Sequence, residues 1–207
     1  MPLRLVLAPH MDDESMGCGG LLAKYPEDSC VVTMTDSGVR RSAEHDRAMA
    51  TLGVTKWRNL GFPDGELPGL VTQTVSALDA VLAEVRPQEL YLPFPSLHQD
   101  HIATYEAGMR AARISMSSNH WFPPAVYVYD IAAYDVNLYP TDLRWNIFEE
   151  LSEEQVNAKQ AACMCYESEV PSDVHPITSV REMAAAVGRP RLLKYAEQYA
   201  LVRRVRR

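Results

Sequence analysis

The sequence of 207 residues contains only four cysteines and no apolar run near the roughly 18 residues that a membrane-spanning helix needs. The cysteines lie within apolar segments, and Cys163 and Cys165 lack a second pair at zinc-site spacing. All four are therefore predicted to be reduced thiols in the core. The N-terminus also lacks a basic region followed by an apolar stretch and a cleavage site. We expect a cytoplasmic protein without a membrane span.

Positive charge is scarce, because 20 Lys and Arg residues stand against 27 Asp and Glu residues, which gives a formal net charge of −7. Nucleic acids and anionic membranes are usually bound by basic surfaces, so neither is expected as the main partner. The one basic cluster, "VRRVRR" at 202–207, is interpreted as a solvated chain end, with a phosphate-binding tail as the alternative.

Short apolar runs alternate with longer helical patterns, and 47% hydrophobic residues suffice for a continuous core. The runs that predict strands are 3–8, 30–35, 56–60, 89–93 and 125–131. Helices are predicted at 14–25, 41–53, 70–87, 101–115 and 152–168, while "YDVNLYP" (134–140) fits either a strand or a long loop. This alternation predicts an α/β fold with a Rossmann-like, mainly parallel sheet and helices on both faces. Because no repeat or linker interrupts it, we expect a single domain over residues 1–207.

Polar segments follow four of the predicted strands. They are "HMDDE" (10–14), "TDSG" (35–38), "GFPDGELPG" (61–69) and "FPSLHQDH" (94–101). The carboxyl ends of parallel strands meet at one edge of the sheet, where ligands bind in such folds. We therefore expect the four segments to gather around one site.

The residues directly after the first strand have the types and the spacing that hold a metal ion. His10 and Asp13 can offer a nitrogen and an oxygen to one cation across a tight turn, and His101 of "HQDH" is the candidate third ligand. Three ligands leave a position open to water, as in catalytic zinc sites. A cation would also offset the repulsion between Asp12, Asp13 and Glu14. The alternative is that these acids only begin a helix, where its dipole favours them.

The glycines of "GCGG" (17–20) form an incomplete version of the dinucleotide-binding pattern, and acids precede them. They are predicted to let a helix pack closely against the sheet rather than to bind a nucleotide.

The combination of "PHMDDE" with "HQDH" resembles the PIG-L or LmbE-like de-N-acetylase family. Further motifs support the resemblance along most of the chain: "TMTDSGVRRSAEHDRAMATLGV", "LGFPDGEL", "KQAACMCYESE" and "YAEQYALVR", the last of which is similar to the family's closing helix. Two positions depart from the family pattern. Met11 stands where proline is usual, and Glu169 stands where glutamine is usual.

The resemblance implies a zinc-dependent hydrolase that removes an acetyl group from N-acetylglucosamine conjugates, with one divalent ion per chain. It implies that Asp12 is the general base and that His98 is protonated and stabilises the oxyanion. Asp100 could orient His98 and raise its pKa, or it could be the N-cap of the following helix. Members of the family often assemble, so a homo-oligomer is possible.

Arg41 and Asp64 are the candidates for binding a sugar. An arginine offers fixed donors and an aspartate offers paired acceptors, which suit a ligand rich in hydroxyl groups. The alternatives are an exposed helical ion pair of Arg41 with Glu44 and an ordinary turn at Asp64.

The predicted function is thus hydrolysis of the acetamide of an amino-sugar conjugate, a small-molecule substrate. Two alternatives stay open at this point. One is a metal-dependent amidase for a non-sugar N-acyl substrate, and the other is a nucleotide-binding or metal-binding module without turnover.

Overall fold

Strands and helices alternate along the chain in the computed structural model, which describes residues 3–117, 119–131, 140–169 and 176–206. The seven strands of these residues are β1 (Arg4–Ala8), β2 (Ser29–Asp36), β3 (Trp57–Pro63), β4 (Glu89–Pro93), β5 (Ala125–Tyr129), β6 (Trp145–Leu151) and β7 (Tyr195–Arg204). The six α-helices are α1 (Asp13–Lys24), α2 (Gly38–Leu52), α3 (Val71–Val85), α4 (Gln99–Ala111), α5 (Glu153–Cys163) and α6 (Val180–Gly188). Of the segment 134–140, residues 134–139 lie outside the described residues.

One sheet contains all seven strands in the order β3-β2-β1-β4-β5-β7-β6. The first five strands in this order are parallel to one another, with Leu5 of β1 opposite both Cys30 of β2 and Leu90 of β4. Strand β7 runs antiparallel between β5 and β6. The predicted α/β fold with a mainly parallel sheet is confirmed, and every predicted strand is present.

The segment "YAEQYALVR" was predicted to be the closing helix, and this prediction is wrong, because it forms strand β7. Residues from both sides of this strand are buried, since Ala196 and Glu197 are neighbours and both are inaccessible. Pairing with β5 on one side and β6 on the other satisfies the backbone of β7 and overrides the helical propensity of Ala, Glu and Gln. Strand β6 and helix α6 were not predicted.

Alternate residues of the central strand face two hydrophobic clusters, one on each side of the sheet. Val6 of β1 packs in the cluster with α1, α2 and α5, whereas Leu5 and Leu7 pack in the cluster with α3 and α4. Helices therefore cover both faces of the sheet, as the alternating sequence predicted.

Helix α1 lies very close to the sheet because its glycines carry no side chain. A Cβ atom on Gly17 would lie 2.1 Å from Tyr129 Cδ2, and one on Gly20 would lie 2.3 Å from Leu151 Cδ1. The packing role predicted for "GCGG" is confirmed. This close packing fixes the N-terminus of α1 directly beyond the end of β1.

The four cysteines are free, as predicted, although Cys165 is only partly buried. Among the described residues, no helix combines the length and the apolar character that a bilayer span requires.

Candidate metal centre

A cavity of about 440 Å³ opens at the carboxyl ends of the parallel strands. We call it the rim cavity, and its lining residues are His10, Asp12, Asp13, Met16, Ser37, Arg41, Asp64, His98, His101 and Glu169. Seven of the eight site residues predicted from the sequence line it, and Asp100 is fully buried behind them. The four polar segments therefore gather as expected.

Three candidate ligands come together at one carboxylate oxygen. Asp13 Oδ2 lies 3.3 Å from His10 Nδ1 and 3.4 Å from His101 Nε2. Two ligands of a tetrahedral zinc ion, each about 2.0–2.2 Å from the metal, are about 3.3–3.6 Å apart. The two separations match this spacing, so the residues present fit a divalent cation.

Two further carboxylates fix the orientation of the His10 ring. His10 Nε2 lies 3.1 Å from Asp64 Oδ1 and 3.3 Å from Asp100 Oδ2. Because both carboxylates are acceptors, they favour a proton on Nε2, so Nδ1 is the nitrogen that His10 would offer to a metal. Asp64 and Asp100 thus support the same tautomer of one ligand.

Asp100 has a different set of partners from the one that the sequence suggested. Its carboxylate also accepts hydrogen bonds from Gly65 N at 2.7 Å and Leu67 N at 3.2 Å, in the loop after β3. The two predicted roles, orientation of the His98 ring by this side chain and capping of α4, are corrected, because the carboxylate points to His10 and to that loop. Backbone amides of this loop thus bind both carboxylate oxygens of Asp100.

His98 is itself the N-cap of α4, since its Nδ1 accepts a hydrogen bond from Asp100 N at 3.2 Å. An imidazole nitrogen accepts only when it carries no proton, so this contact favours a ring with its proton on Nε2. The protonated state that the resemblance implied stays a prediction. One ring nitrogen of each of His10, His98 and His101 lies within 4.8 Å of the other two, so the His98 ring is close to the predicted ligands.

Asp12 has an uncommon backbone conformation, with φ at 152° and ψ at −30°. Its amide donates to Glu14 Oε2 at 3.2 Å, and its carboxylate accepts from Arg41 Nη1 at 2.9 Å. Burial and the charge of Asp13 raise the pKa of Asp12 to about 8, although Arg41 opposes this shift. The side chain is therefore directed into the rim cavity instead of capping α1.

Glu14 accepts the hydrogen bond from the Asp12 amide and does not line the rim cavity. It is fully buried and accepts hydrogen bonds from Ser15 Oγ and Tyr166 Oη, both at 2.7 Å. Tyr166 Oη in turn lies 2.8 Å from His45 Nδ1. Burial opposes ionisation, but His45 and these donors together hold the pKa of Glu14 below its ordinary value. The sequence analysis did not predict that Tyr166 and His45 stabilise the ionised form of Glu14.

Arg41 lies inside the site, although an exposed helical ion pair was one alternative. Only 12% of its side chain is exposed, and it donates to Met11 O at 2.9 Å, to Asp12 and to Glu169. The contact with Glu44 is longer, at 3.6 Å. Asp64 is more open, with 54% of its side chain exposed beside the cavity.

Three of the lining residues were not predicted to be site residues: Met16, Ser37 and Glu169. Ser37 belongs to "TDSG", a segment that the sequence analysis placed at this edge, so Ser37 could have been predicted to line the site. Glu169 follows α5 and contacts Arg41, and the motif "KQAACMCYESE", of which it is the last residue, was a signal for it.

Comparison with known proteins adds a family match. The PIG-L family, described as GlcNAc-PI de-N-acetylase, matches residues 5–112, which are just over half of the chain and include all eight predicted site residues.

Individual relatives cover more of the chain. The uncharacterized deacetylase YaiS of Escherichia coli (strain K12) is 26% identical over 179 residues, which cover 79% of this chain and 90% of that protein. Diacetylchitobiose deacetylase of Thermococcus kodakarensis is 27% identical over an alignment of 217 residues, with 93% of this chain and 80% of that protein covered. The structure of the conserved protein TT1542 of Thermus thermophilus matches with a TM-score of 0.81 at 24% identity, over 100% of this chain and 97% of the other. This structural similarity extends the shared fold to the whole chain.

Proposed function

The chain belongs to the PIG-L family and is an N-deacetylase, and we propose that it hydrolyses the acetamide of an N-acetylglucosamine-type sugar or its conjugate with the help of zinc. The similarity to a diacetylchitobiose deacetylase supports a sugar substrate. We propose one divalent ion per chain, bound by His10, Asp13 and His101.

The observation that carries this proposal is the common approach of two imidazole nitrogens to Asp13 Oδ2, at 3.3 Å and 3.4 Å. A divalent cation in this position supplies Lewis-acid chemistry, since it activates water and polarises the acyl oxygen. We propose that the surrounding side chains carry out proton transfer, oxyanion stabilisation and sugar binding.

Asp12 is the proposed general base. Its carboxylate lies on the cavity wall, next to the ligand Asp13, and Arg41 holds one of its oxygens. A base is most effective when its pKa is near the working pH, and the pKa of Asp12 is about 8 in the metal-free chain. Asp12 accepts the proton of the attacking water and then donates it to the amine that leaves.

His98 is the proposed oxyanion donor. As the N-cap of α4 it uses Nδ1 as an acceptor, so the proton on Nε2 is available to a developing negative charge. A neutral donor suffices for this role. Arg41 and Asp64, on the wall of the same cavity, are the proposed contacts for sugar hydroxyl groups.

Acetate release from N-acetylglucosamine and diacetylchitobiose by the zinc-loaded chain tests the proposal. We expect Asp12→Asn to lower kcat by about 10²–10⁴-fold, because an amide cannot accept the proton, while the bound metal stays the same. Asp28→Asn is the matched control, since Asp28 is exposed before β2, at the opposite edge of the sheet. Wild-type turnover by metal-loaded Asp12→Asn would contradict the assignment, and acetate release from N-acyl amino acids alone would favour a non-sugar amidase.

A further inference from the structure

Negative charge dominates the wall of the rim cavity. Four carboxylates line it, namely those of Asp12, Asp13, Asp64 and Glu169. Among the described residues that line the cavity, Arg41 alone carries a permanent positive charge. When the carboxylates are ionised and the histidines are neutral, four negative charges outnumber the three positive charges that Arg41 and a divalent cation supply together. In that state the net charge of the cavity wall is negative.

The one arginine is already engaged by protein groups. Its guanidinium donates to Asp12 Oδ2 and Met11 O, each at 2.9 Å, and to Glu169 Oε1. With its side chain 12% exposed and its charge already paired with two carboxylates, Arg41 could attract an incoming phosphate or carboxylate only weakly. The cavity thus offers an anion no uncommitted guanidinium among its described lining residues.

Glu169 is one of two partly exposed carboxylates on the cavity wall, and the other, Asp64, contacts the candidate ligand His10. Its side chain is 42% exposed, in the short helical turn Glu167–Glu169. Glu44 holds this turn, because it accepts from Ser168 N at 3.1 Å and from Ser168 Oγ at 2.5 Å. The position of Glu169 is therefore fixed from two sides, by Arg41 and by the anchored Ser168.

We propose that Glu169 is a specificity-determining residue, which makes the site reject conjugates with an anionic group next to the N-acetylated sugar and accept neutral or amine-bearing conjugates. This inference rests on the proposed function and narrows its substrate class. Opposed like charges reduce binding, whereas an ammonium group gains from the same field.

Three glycosides of N-acetylglucosamine with aglycones of similar size test the inference: 2-hydroxyethyl, 2-aminoethyl and carboxymethyl. We measure kcat/KM for acetate release by the zinc-loaded wild type, Glu169→Gln and Glu167→Gln. The wild type is expected to use the carboxymethyl glycoside about tenfold less well than the neutral one, and higher ionic strength should reduce this difference. Glu169→Gln should remove most of the difference, and Glu169→Asp should restore part of it.

Glu167→Gln is the matched control, because Glu167 lies in the same turn, pairs with Arg47 at 3.7 Å and is 72% exposed outside the cavity. It should keep the wild-type order of substrates. If Glu169→Gln lowered kcat/KM for all three glycosides by the same factor, Glu169 would have only a structural role and the inference would be wrong. Equal use of the three glycosides by the wild type would also overturn it. No acetate from any of them would overturn the proposed function itself, which separates the two failures.

Discussion

Asp12 shows how the backbone of one residue can determine the direction of a functional side chain. A φ of 152° is rare for a residue with a Cβ atom, and such conformations cost about 1–3 kcal/mol. Hydrogen bonds from Ser15 N and Met16 N to Asp12 O, and from Asp12 N to Glu14, hold the residue there. The carboxylate consequently meets Arg41 across the cavity.

Proton binding at His10 and Asp12 makes the stability of the metal-free chain depend on pH. Burial acts to lower the pKa of His10, but Asp13, Asp12 and Asp64 outweigh it and raise the pKa to about 9 from 6.5. The stabilisation from the His10 proton is complete below pH 6.5 and is lost as the pH rises through about 9. The raised pKa of Asp12, about 8, has the same sign, because the unfolded chain loses this proton first.

We therefore expect the free energy of unfolding of the metal-free chain, measured with urea, to fall by about 1–3 kcal/mol between pH 6.5 and 9. Saturating zinc should reduce the fall, because the cation takes the place of the proton. His10→Gln should flatten the profile, and His120→Gln should not, since His120 lies next to Arg113 O, away from the cavity. A free energy of unfolding that increases over this pH range would contradict the raised pKa values of His10 and Asp12.

At the scale of the elements, a buried ion pair joins α1, α5 and β7 behind the site. Lys159 Nζ donates to Glu197 Oε1 at 2.7 Å, and the same carboxylate accepts from Gly20 N and Leu21 N, both at 2.8 Å. Burial acts to lower the pKa of Lys159, but Glu197 outweighs this and keeps the amine charged. The position of α1, and so of Asp13, depends on this contact.

Loss of one member of this pair should strongly destabilise the chain, because the other charge stays buried. We expect Glu197→Gln to lower the free energy of unfolding by about 3–5 kcal/mol in chemical denaturation. Adding Lys159→Met to the same chain should recover much of the loss. Glu84→Gln, in the exposed pair with Arg58, should leave the denaturation midpoint nearly unchanged. A similarly small effect of Glu197→Gln would show that the ion pair does not hold α1.

The sequence predicted elements well where local pattern decides them. Strand β4 was predicted at its observed bounds, because an apolar run stands between a helix and a polar segment. The helix expected in place of β7 rested on the family resemblance, whereas the strand depends on pairing with β5 and β6, whose residues are distant in sequence. His10, Asp13 and His101 could be predicted because they follow strands closely in the sequence. The partners of Asp100 could not, because they depend on how the loop after β3 folds.

At the scale of the whole molecule, the two halves of the chain contribute different residues to the site. Residues 5–112, which the family match covers, provide all eight predicted site residues. The C-terminal half adds Tyr166 below Glu14 and Glu169 beside Arg41. The predicted catalytic and metal-binding residues thus lie in the first half, and the second half adds a buried partner of Glu14 and one carboxylate of the cavity wall.

The most direct test of the account is calorimetric titration of the metal-free chain with zinc, because all assigned roles depend on one cation between His10, Asp13 and His101. We predict about one ion per chain for the wild type and for His120→Ala. His101→Ala should weaken binding by more than about 100-fold, because it removes the proposed ligand in the first turn of α4. Wild-type zinc affinity in His101→Ala would contradict the account.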